Sequence, residues 1–520
     1  MKFGKNLSLI ILMCCILGNV YATDKESVNT ARKSAKIAGY SLSKVQRWLH
    51  EVALKRIDPA TGLYIADGRW NYRDTAADCY PFLTWAAYIV DLEALNGPVR
   101  SVLHAEQKLC NHVDRIPVPY DYKNKKKIVP GYDEMVFQAS EYVKDCLIAI
   151  VEVTGKDEWF ERMKGIEEDI WKHARYDSAY GKIPSRNVEV NGEQIQALVR
   201  LYTMTGQKKF LEWAERLADY YLLTGNFVPT RLRDHGCEII GGLGLLLGVE
   251  SEHNPRKAKI YQPLIKNMLD EILRRGVNED GIMYDTLDKP DSRLSDGWGY
   301  NYVTYLCYDM VAARPVYRDR IVQTLANLEK PKYKNYRWEG NSIDGFADSI
   351  EGGLYIMNRY PVHEALAWAD REMAANVVYS DKPLATAPLW GTMKLQANGV
   401  RTTLIHALMH TRGLIGRPWR QDLVLGASET EDGLIVVMRG SKDWAGRLFF
   451  DIPRHREYMG FKHDWPRMNT LPEWFTVEFN KKYIVENVTN GTRKIYTGKQ
   501  LHEGMPVELA AEEETVLLIK

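Results

Sequence analysis

Acids and other polar side chains recur where apolar helical runs open along this 520-residue chain: Asp74 and Asp78; Asp133 and Glu134; Glu189 and Glu193; Asp234, His235 and Glu238; Asp296; and Asp344, Asp348 and Glu351. Two carboxyl groups held close together can divide the work of acid and base, the smallest apparatus that hydrolyses a glycosidic bond. Helix capping and dipole compensation also favour acids in a first turn, so none of these residues decides anything alone. The same ends carry Trp70, Tyr72, Tyr132, Trp298, Tyr300, Trp338 and Tyr355, aromatics whose faces suit the C–H faces of sugar rings, although core packing explains them too. Arg69, Arg73, Arg186, Arg233 and Arg293 fall in the same loops. A guanidinium fork matches a carboxylate, the distinguishing group of a uronic acid, while a structural salt bridge is the plainer role for each.

Other chemistries find less support. No Gly-x-Ser-x-Gly turn marks a serine nucleophile, and the glycines of Gly241 to Gly248 lack the preceding strand and the spacing of a nucleotide loop. His406 and His410 share a helix face, but no Glu follows the first and no third ligand is apparent, so neither a metal nor another cofactor is expected.

The elements that must position the acids show themselves as a repeat. Leu147 to Trp171 can be laid over Leu198 to Leu222, each running through a Thr-Gly pair (Thr154-Gly155, Thr205-Gly206) and an aromatic (Trp159, Phe210) into a second helix. One helical hairpin cannot bury its own apolar face, so such a repeat implies a solenoid or a closed toroid. About six pairs are legible. The first members run near Asp74–Val90, Asp133–Val153, Val188–Met204, Asp234–Val249, Asp296–Ala312 and Ala347–Asn358. Their partners, near Pro98–Val113, Lys156–His173, Lys208–Leu223, Arg256–Arg275, Val316–Leu328 and Pro361–Ala375, are more charged and more amphipathic, which suggests an inner ring sheathed by an outer one. Thr392–His410 would close or flank it. Beyond Pro418 short alternating runs (Leu434–Val437, Arg447–Ile452, Phe475–Phe479, Tyr483–Val485, Val507–Leu509, Thr515–Ile519) read as strands. The expected fold is mainly α: an (α/α)6 toroid over 23–415, then a small C-terminal β-sandwich domain over 416–520.

Residues 1–22 carry Lys2 and Lys5, an apolar run from Leu7 to Leu17 and the small-residue site Val20-Tyr21-Ala22, the three parts of a secretory signal peptide. Cleavage there would place the protein in the periplasm or outside the cell, with no membrane insertion afterwards and a polar lead-in from Thr23 to Ala35. Loss of Lys2 and Lys5 turns the formal charge from +1 to −1, which leaves no global basic field for nucleic acid. Five cysteines remain (Cys79, Cys110, Cys146, Cys237, Cys307), an odd number without metal-like spacing, read mostly as small buried hydrophobes.

The stretches Asp74-Thr-Ala-Ala-Asp78-Cys-Tyr-Pro-Phe, Asn191-Gly-Glu193, Asp234-His-Gly-Cys-Glu238, Asp296-Gly-Trp-Gly-Tyr-Asn301 and Asp348-Ser-Ile-Glu351-Gly-Gly resemble six-hairpin glycosidases, in particular bacterial secreted enzymes of the glucuronidase and unsaturated glucuronyl hydrolase type. The resemblance covers roughly Ser41 to Thr411. It implies a glycan end bound in the barrel mouth and Asp or Glu as general acid. Ser295-Asp296 stands where unsaturated glucuronyl hydrolases have Arg-Gly, which favours general exo-hydrolysis over removal of a 4,5-unsaturated uronate. The resulting expectation is an exo-acting glycoside hydrolase that releases a terminal sugar, a uronic acid, from oligosaccharides. Glu238, Glu193, Asp296 and Glu351 form the pool for the catalytic pair; Asp78, His235, Asp348, Arg73 and Arg233 would orient substrate, and Trp298 and Tyr300 would stack on it. A polysaccharide lyase using Tyr or His as base and a non-catalytic glycan-binding protein are the alternatives.

Overall fold

The computed structural model describes residues 6–233 and 235–520, with side chains from residue 25 onward except Asn341. Asp234, Lys2 and Lys5, and the side chains of the proposed signal run, lie outside the described residues. No described helix is long and apolar enough to cross a membrane.

The chain is mainly helical and divides into two compact units: a helical one of Lys44–Ile405 and Pro453–Pro472, and a sheet-bearing one of Met1–Ser43, His406–Ile452 and Glu473–Lys520. This division differs from a boundary at 415/416 because the second half of the chain crosses back. α1 (Asn6–Trp48) leads into the helical unit. There α2 (Thr75–Asp78) and α3 (Tyr80–Val90) are followed by the one-turn α4 (Leu92–Ala94), whose N-cap Asp91 accepts from the amides of Glu93 and Ala94, and by α5 (Arg100–Cys110). α6 (Tyr132–Glu141) continues through a π-helical stretch, Tyr142–Leu147, into α7 (Ile148–Thr154). α8 (Glu158–Lys172), α9 (Val188–Thr205), α10 (Lys208–Leu222), α11 (Cys237–His253), α12 (Pro255–Arg275), α13 (Trp298–Val311), α14 (Arg318–Asn327), α15 (Ile343–Met357), α16 (His363–Glu372) and α17 (Lys394–Thr411) complete the order.

The first members of the pairs are buried on almost every face, while their partners bury one stripe. α9, α11, α13 and α15 pack side by side in chain order, and each of α10, α12 and α16 packs on its own first member. Glycine makes the first row tight. A Cβ on Gly192 of α9 would lie 2.3 Å from the Ile239 nitrogen of α11, and one on Gly299 of α13 would lie 2.2 Å from the Gly352 carbonyl carbon of α15. Gly241 to Gly248 is the middle of α11, where Gly244 makes room for Thr304 and Gly248 for Trp465. The Thr-Gly pairs end α7 and α9 alike, with Gly155 at φ 72° and Gly206 at φ 71°, backbone that a side chain would strain. The front of α17 extends the series: Thr402 Oγ1 donates to the Ala347 carbonyl of α15 at 3.1 Å, and Lys394 Nζ lies 3.2 Å from Asp78 Oδ2 of α2.

Residues 453–472, which include α18 (Arg454–Glu457), are tied into the helical unit by buried charge. Arg467 Nε and Arg200 Nε reach Glu152 Oε1 at 2.8 and 2.9 Å. Burial alone would push this carboxyl up, and the two guanidinium groups override it, holding Glu152 at about 2.

In the sheet-bearing unit β1 (Ile415–Arg417), β2 (Val424–Thr430), β3 (Gly433–Arg439), β4 (Trp444–Phe449), β5 (Lys482–Asn487), β6 (Thr492–Thr497), β7 (Met505–Leu509) and β8 (Glu514–Ile519), with the short α19 (Gly498–His502) between β6 and β7, form two antiparallel sheets ordered β6-β5-β8-β3-β2 and β7-β4-β1. The register pairs Val516 with Val437 and Leu518 with Ile435, so alternate residues of both strands face one way. Ala31 and Val28 of α1 pack on that face, which corrects the expectation of a loose lead-in from Thr23 to Ala35. Phe475–Phe479 is irregular apart from a bridge at Thr476, and Val424–Thr430 and Thr492–Thr497 are strands the alternation did not reveal. His406 and His410 fall in this unit, buried, with their Nε2 atoms 3.3 Å apart and His410 Nδ1 3.1 Å from Ser34 Oγ. Cys79, Cys110, Cys146, Cys237 and Cys307 are buried, and none of them forms a disulfide.

Candidate active site

The beginnings of α9, α11, α13, α15 and α17, with the end of α6 and the π-helical stretch after it, meet at one pocket of about 50 Å³. Eight carboxyl groups line it: Asp78 of α2, Glu141 of α6, Asp145 of the π-helical stretch, Glu189 and Glu193 of α9, Glu238 of α11, and Asp344 and Asp348 of α15. His235, Cys237, Tyr300, Lys144, Lys394, Asn398, Arg401, Met468 and Asn469 complete the wall. Capping does not occupy these acids. Asn187 Oδ1 accepts from the Glu189 amide at 2.9 Å and Ser342 Oγ from the Gly345 amide at 3.1 Å, so neutral residues cap α9 and α15. Glu189 and Glu193 stand four residues apart and share a helix face.

Lys144 and Asp145 sit in the π-helical stretch, where an extra residue per turn shifts side chains from their α-helical directions. Lys144 Nζ lies 2.7 Å from Asp145 Oδ1 and 3.2 Å from Glu238 Oε1. Burial alone would strip its proton, but Asp145, Glu238, Cys237 and Glu193 hold the ammonium above the ordinary lysine value. Glu193, 2% exposed, is driven the other way by burial and then by Glu141 and Glu189, which keeps it protonated well above the usual carboxyl range. Glu141 is raised likewise by burial, Asp145 and Asp78. Asp344 is pushed up to about 9 by burial and by Asp348. The Oε2 atoms of Glu141, Glu193 and Glu238 are buried without a hydrogen-bond partner. His235 stands in left-handed backbone at φ 67°, unusual for a side-chain-bearing residue, with Nδ1 on Glu189 Oε1.

Apart from Asp348, which lines the pocket, the remaining expected residues lie elsewhere. Glu351 is buried behind the wall, taking bonds from Tyr300 Oη at 2.6 Å and Tyr355 Oη at 2.7 Å, with Arg401 Nε 2.5 Å away. With its oxygens engaged it anchors Tyr300 and Arg401. Asp348 pairs with Arg401 and receives Tyr300 Oη at 3.3 Å. Asp296 accepts from the Gly297 amide at 2.9 Å and is not among the lining residues. Trp298 is fully buried, donates to Ser349 Oγ at 3.0 Å and meets Tyr302 and Trp368 edge-on, so it has no face for a sugar. Trp70, Tyr72 and Trp338 are core residues too. Arg73 lines a second cavity of about 450 Å³ with Asp133, Glu134, Phe137, Tyr176 and Arg186; its Nε is 3.3 Å from Glu134 Oε1 and its guanidinium 4.0 Å over the Phe137 ring. Arg233 lines neither cavity. Both cavities use α6 and α9: Glu134 and Phe137 face the larger one and Glu141 the smaller, Val190 the larger and Glu193 the smaller.

Glu141, Lys144 and Asp145 escaped the sequence reading, yet they are charges inside a run otherwise apolar enough to be buried all round, where a charge needs a partner. Arg401 and Asn398 carry the same signal within Thr392–His410. Met468 and Asn469 carried none, because only the chain's return through 453–472 brings them here.

No family model and no curated protein matches the chain. Among solved structures it is similar to a sugar epimerase from a ruminal bacterium (11% identity, 56% of this chain and 86% of that one, TM-score 0.39). It is also similar to the α-1,6-mannanase of Salegentibacter (12% identity, 58% and 96%, TM-score 0.37). A β-arabinofuranosidase is similar over 95% of this chain and 76% of its own, at 12% identity and TM-score 0.35. All three are named for work on sugars; the likenesses are too distant to assign an activity, which rests on the pocket itself.

Proposed function

We propose that the helical unit is a closed α/α toroid and that its pocket is the active site of an exo-acting glycoside hydrolase. One observation carries this reading: carboxyl groups in contrasting surroundings share the pocket. Glu193 is kept protonated by burial among acids, while Glu238 is ion-paired with Lys144. Such a split assigns the roles of general acid and of base or nucleophile. Glu193 donates its proton to the leaving oxygen, and Glu238 activates water or attacks the anomeric carbon. Asp78, Asp348 and His235 offer bonds to sugar hydroxyls, and Tyr300 offers its ring.

The two cavities fit unequal parts of a glycan. Ligand pockets usually span about 300–1,000 Å³. The larger cavity falls in that range and suits the body of an oligosaccharide, with Tyr176, Arg186 and Arg73 along it; the smaller suits the reacting end of the terminal residue. A uronic acid at that end has Lys144, Lys394 and Arg401 as cationic neighbours, and protonated Glu193 and Asp344 as donors. Cleavage of residues 1–22 would place the enzyme outside the cytoplasm, where polysaccharide fragments are met.

The test is product mass and released sugar from aryl glycosides of glucuronic, galacturonic and neutral sugars, and from lyase-generated oligosaccharides. Hydrolysis lost in Glu193→Gln and in Glu238→Gln, with both variants folded, supports the assignment. Full turnover in both, or an unsaturated product absorbing in the near ultraviolet, removes it.

A further inference from the structure

We infer that the pocket binds a divalent cation between Glu141, Glu189 and His235. The three residues come from α6, from the first turn of α9 and from the residues just before α11, and each presents one ligand atom, all within 4.8 Å of one another. Ligand atoms so close can surround a single ion at its usual distances of about 2.0–2.6 Å.

Two further observations point to an ion and not merely to crowded acids. Glu141 lines the pocket at 5% exposure, and its Oε2 is buried with no hydrogen-bond partner. Buried acceptors without donors are what a cation satisfies. The composition of the wall runs the same way, with eight lining carboxyl groups against three lysine and arginine side chains. Those three are engaged: Lys144 with Asp145 and Glu238, Lys394 with Asp78, Arg401 with Asp348 and Glu351. With the ion displacing the Glu141 proton, two carboxylate oxygens and one imidazole nitrogen form a mixed, borderline donor set, which favours Mn²⁺ or Zn²⁺ over Ca²⁺ or Mg²⁺. A bound dication would also give an anionic sugar a partner; that consequence, unlike the ion site, rests on the proposed uronate specificity.

The experiment is calorimetric titration of the chelator-stripped mature chain with Mn²⁺, Zn²⁺, Ca²⁺ and Mg²⁺, without sugar. One equivalent of Mn²⁺ or Zn²⁺ per chain is expected, weakened at least tenfold in Glu189→Gln and in His235→Asn and unchanged in His406→Ala. Thermal unfolding of each variant establishes that it is folded, and the wild-type titration decides by itself if one is not. Absence of saturable binding in the wild type, unchanged binding in both pocket variants, or loss of binding in His406→Ala instead would overturn the site. Glycoside turnover is measured separately, so stoichiometric binding without hydrolysis upholds the ion site while removing the hydrolase reading.

Discussion

Glu167 provides a quantitative test of how the acid-bearing helices are held. It lies on α8, fully buried, with Oε1 accepting from Gln194 Nε2 of α9 at 2.9 Å and Oε2 buried without a partner. Gln194 also donates to Ser140 Oγ at 3.0 Å and accepts from Trp171 Nε1 at 2.8 Å, so one amide links α6, α8 and α9 immediately beside Glu193. Burial raises the Glu167 carboxyl from 4.5 to about 8. Between those values the folded chain keeps a proton that the unfolded chain has released, so stability is full below pH 4.5 and falls as pH rises toward 8. At about 1.4 kcal/mol per pH unit the loss at pH 7 is about 3 kcal/mol, a large share of a typical folding free energy. Glu167→Gln removes the titration while keeping the acceptor. The variant should match the wild type at pH 4.5 and exceed it by about 3 kcal/mol at pH 7, measured by urea denaturation at both values. An equal difference at the two pH values would show that burial does not hold this proton, and would remove the same reasoning from Glu193 and Glu141.

Three other outcomes follow from the pocket and its supports. Because Glu193 must be protonated to donate, hydrolysis should persist above the ordinary carboxyl range and fall as pH rises through its raised value. In Glu193→Gln, kcat on poor leaving groups should drop about 10²–10⁴-fold and recover on an activated dinitrophenyl glycoside, read from pH–rate profiles of both substrates. Arg401→Met leaves Asp348 and Glu351 without their guanidinium and should cost about 3–5 kcal/mol by denaturant titration, with part recovered in the Arg401→Met/Glu351→Gln double variant. Gly192→Ala drives a methyl into the α11 backbone beside Glu238 and should destabilise by about 3 kcal/mol, with a matching fall in melting temperature and in turnover.

Much of this protein was legible before any coordinates. The long repeat and its apolar and amphipathic members placed the helices of the pairs they marked to within a few residues, because a buried helix and a sheathing helix differ in how many faces must be apolar. Of the residues marked at the polar beginnings of those helices, Asp78, Glu189, Glu193, His235, Glu238, Asp344 and Asp348 line one pocket, Asp133 and Glu134 line the larger cavity, and Asp74, Asp296 and Glu351 line neither. Their state is another matter. Whether an acid faces a cavity, a guanidinium or a tyrosine depends on neighbours distant in sequence, so Glu351 and Glu193 read alike in the chain while one is tied down and the other has a bare oxygen. The same holds for Trp298, whose place beside the acids suited a sugar as well as it suited the core. Local pattern determined the helices and their order; the tertiary structure alone decided which charges are paired, which are left protonated, and that residues 453–472 return to the helical unit, because desolvation and ion pairing depend on everything that packs around a group and not on its place in the chain.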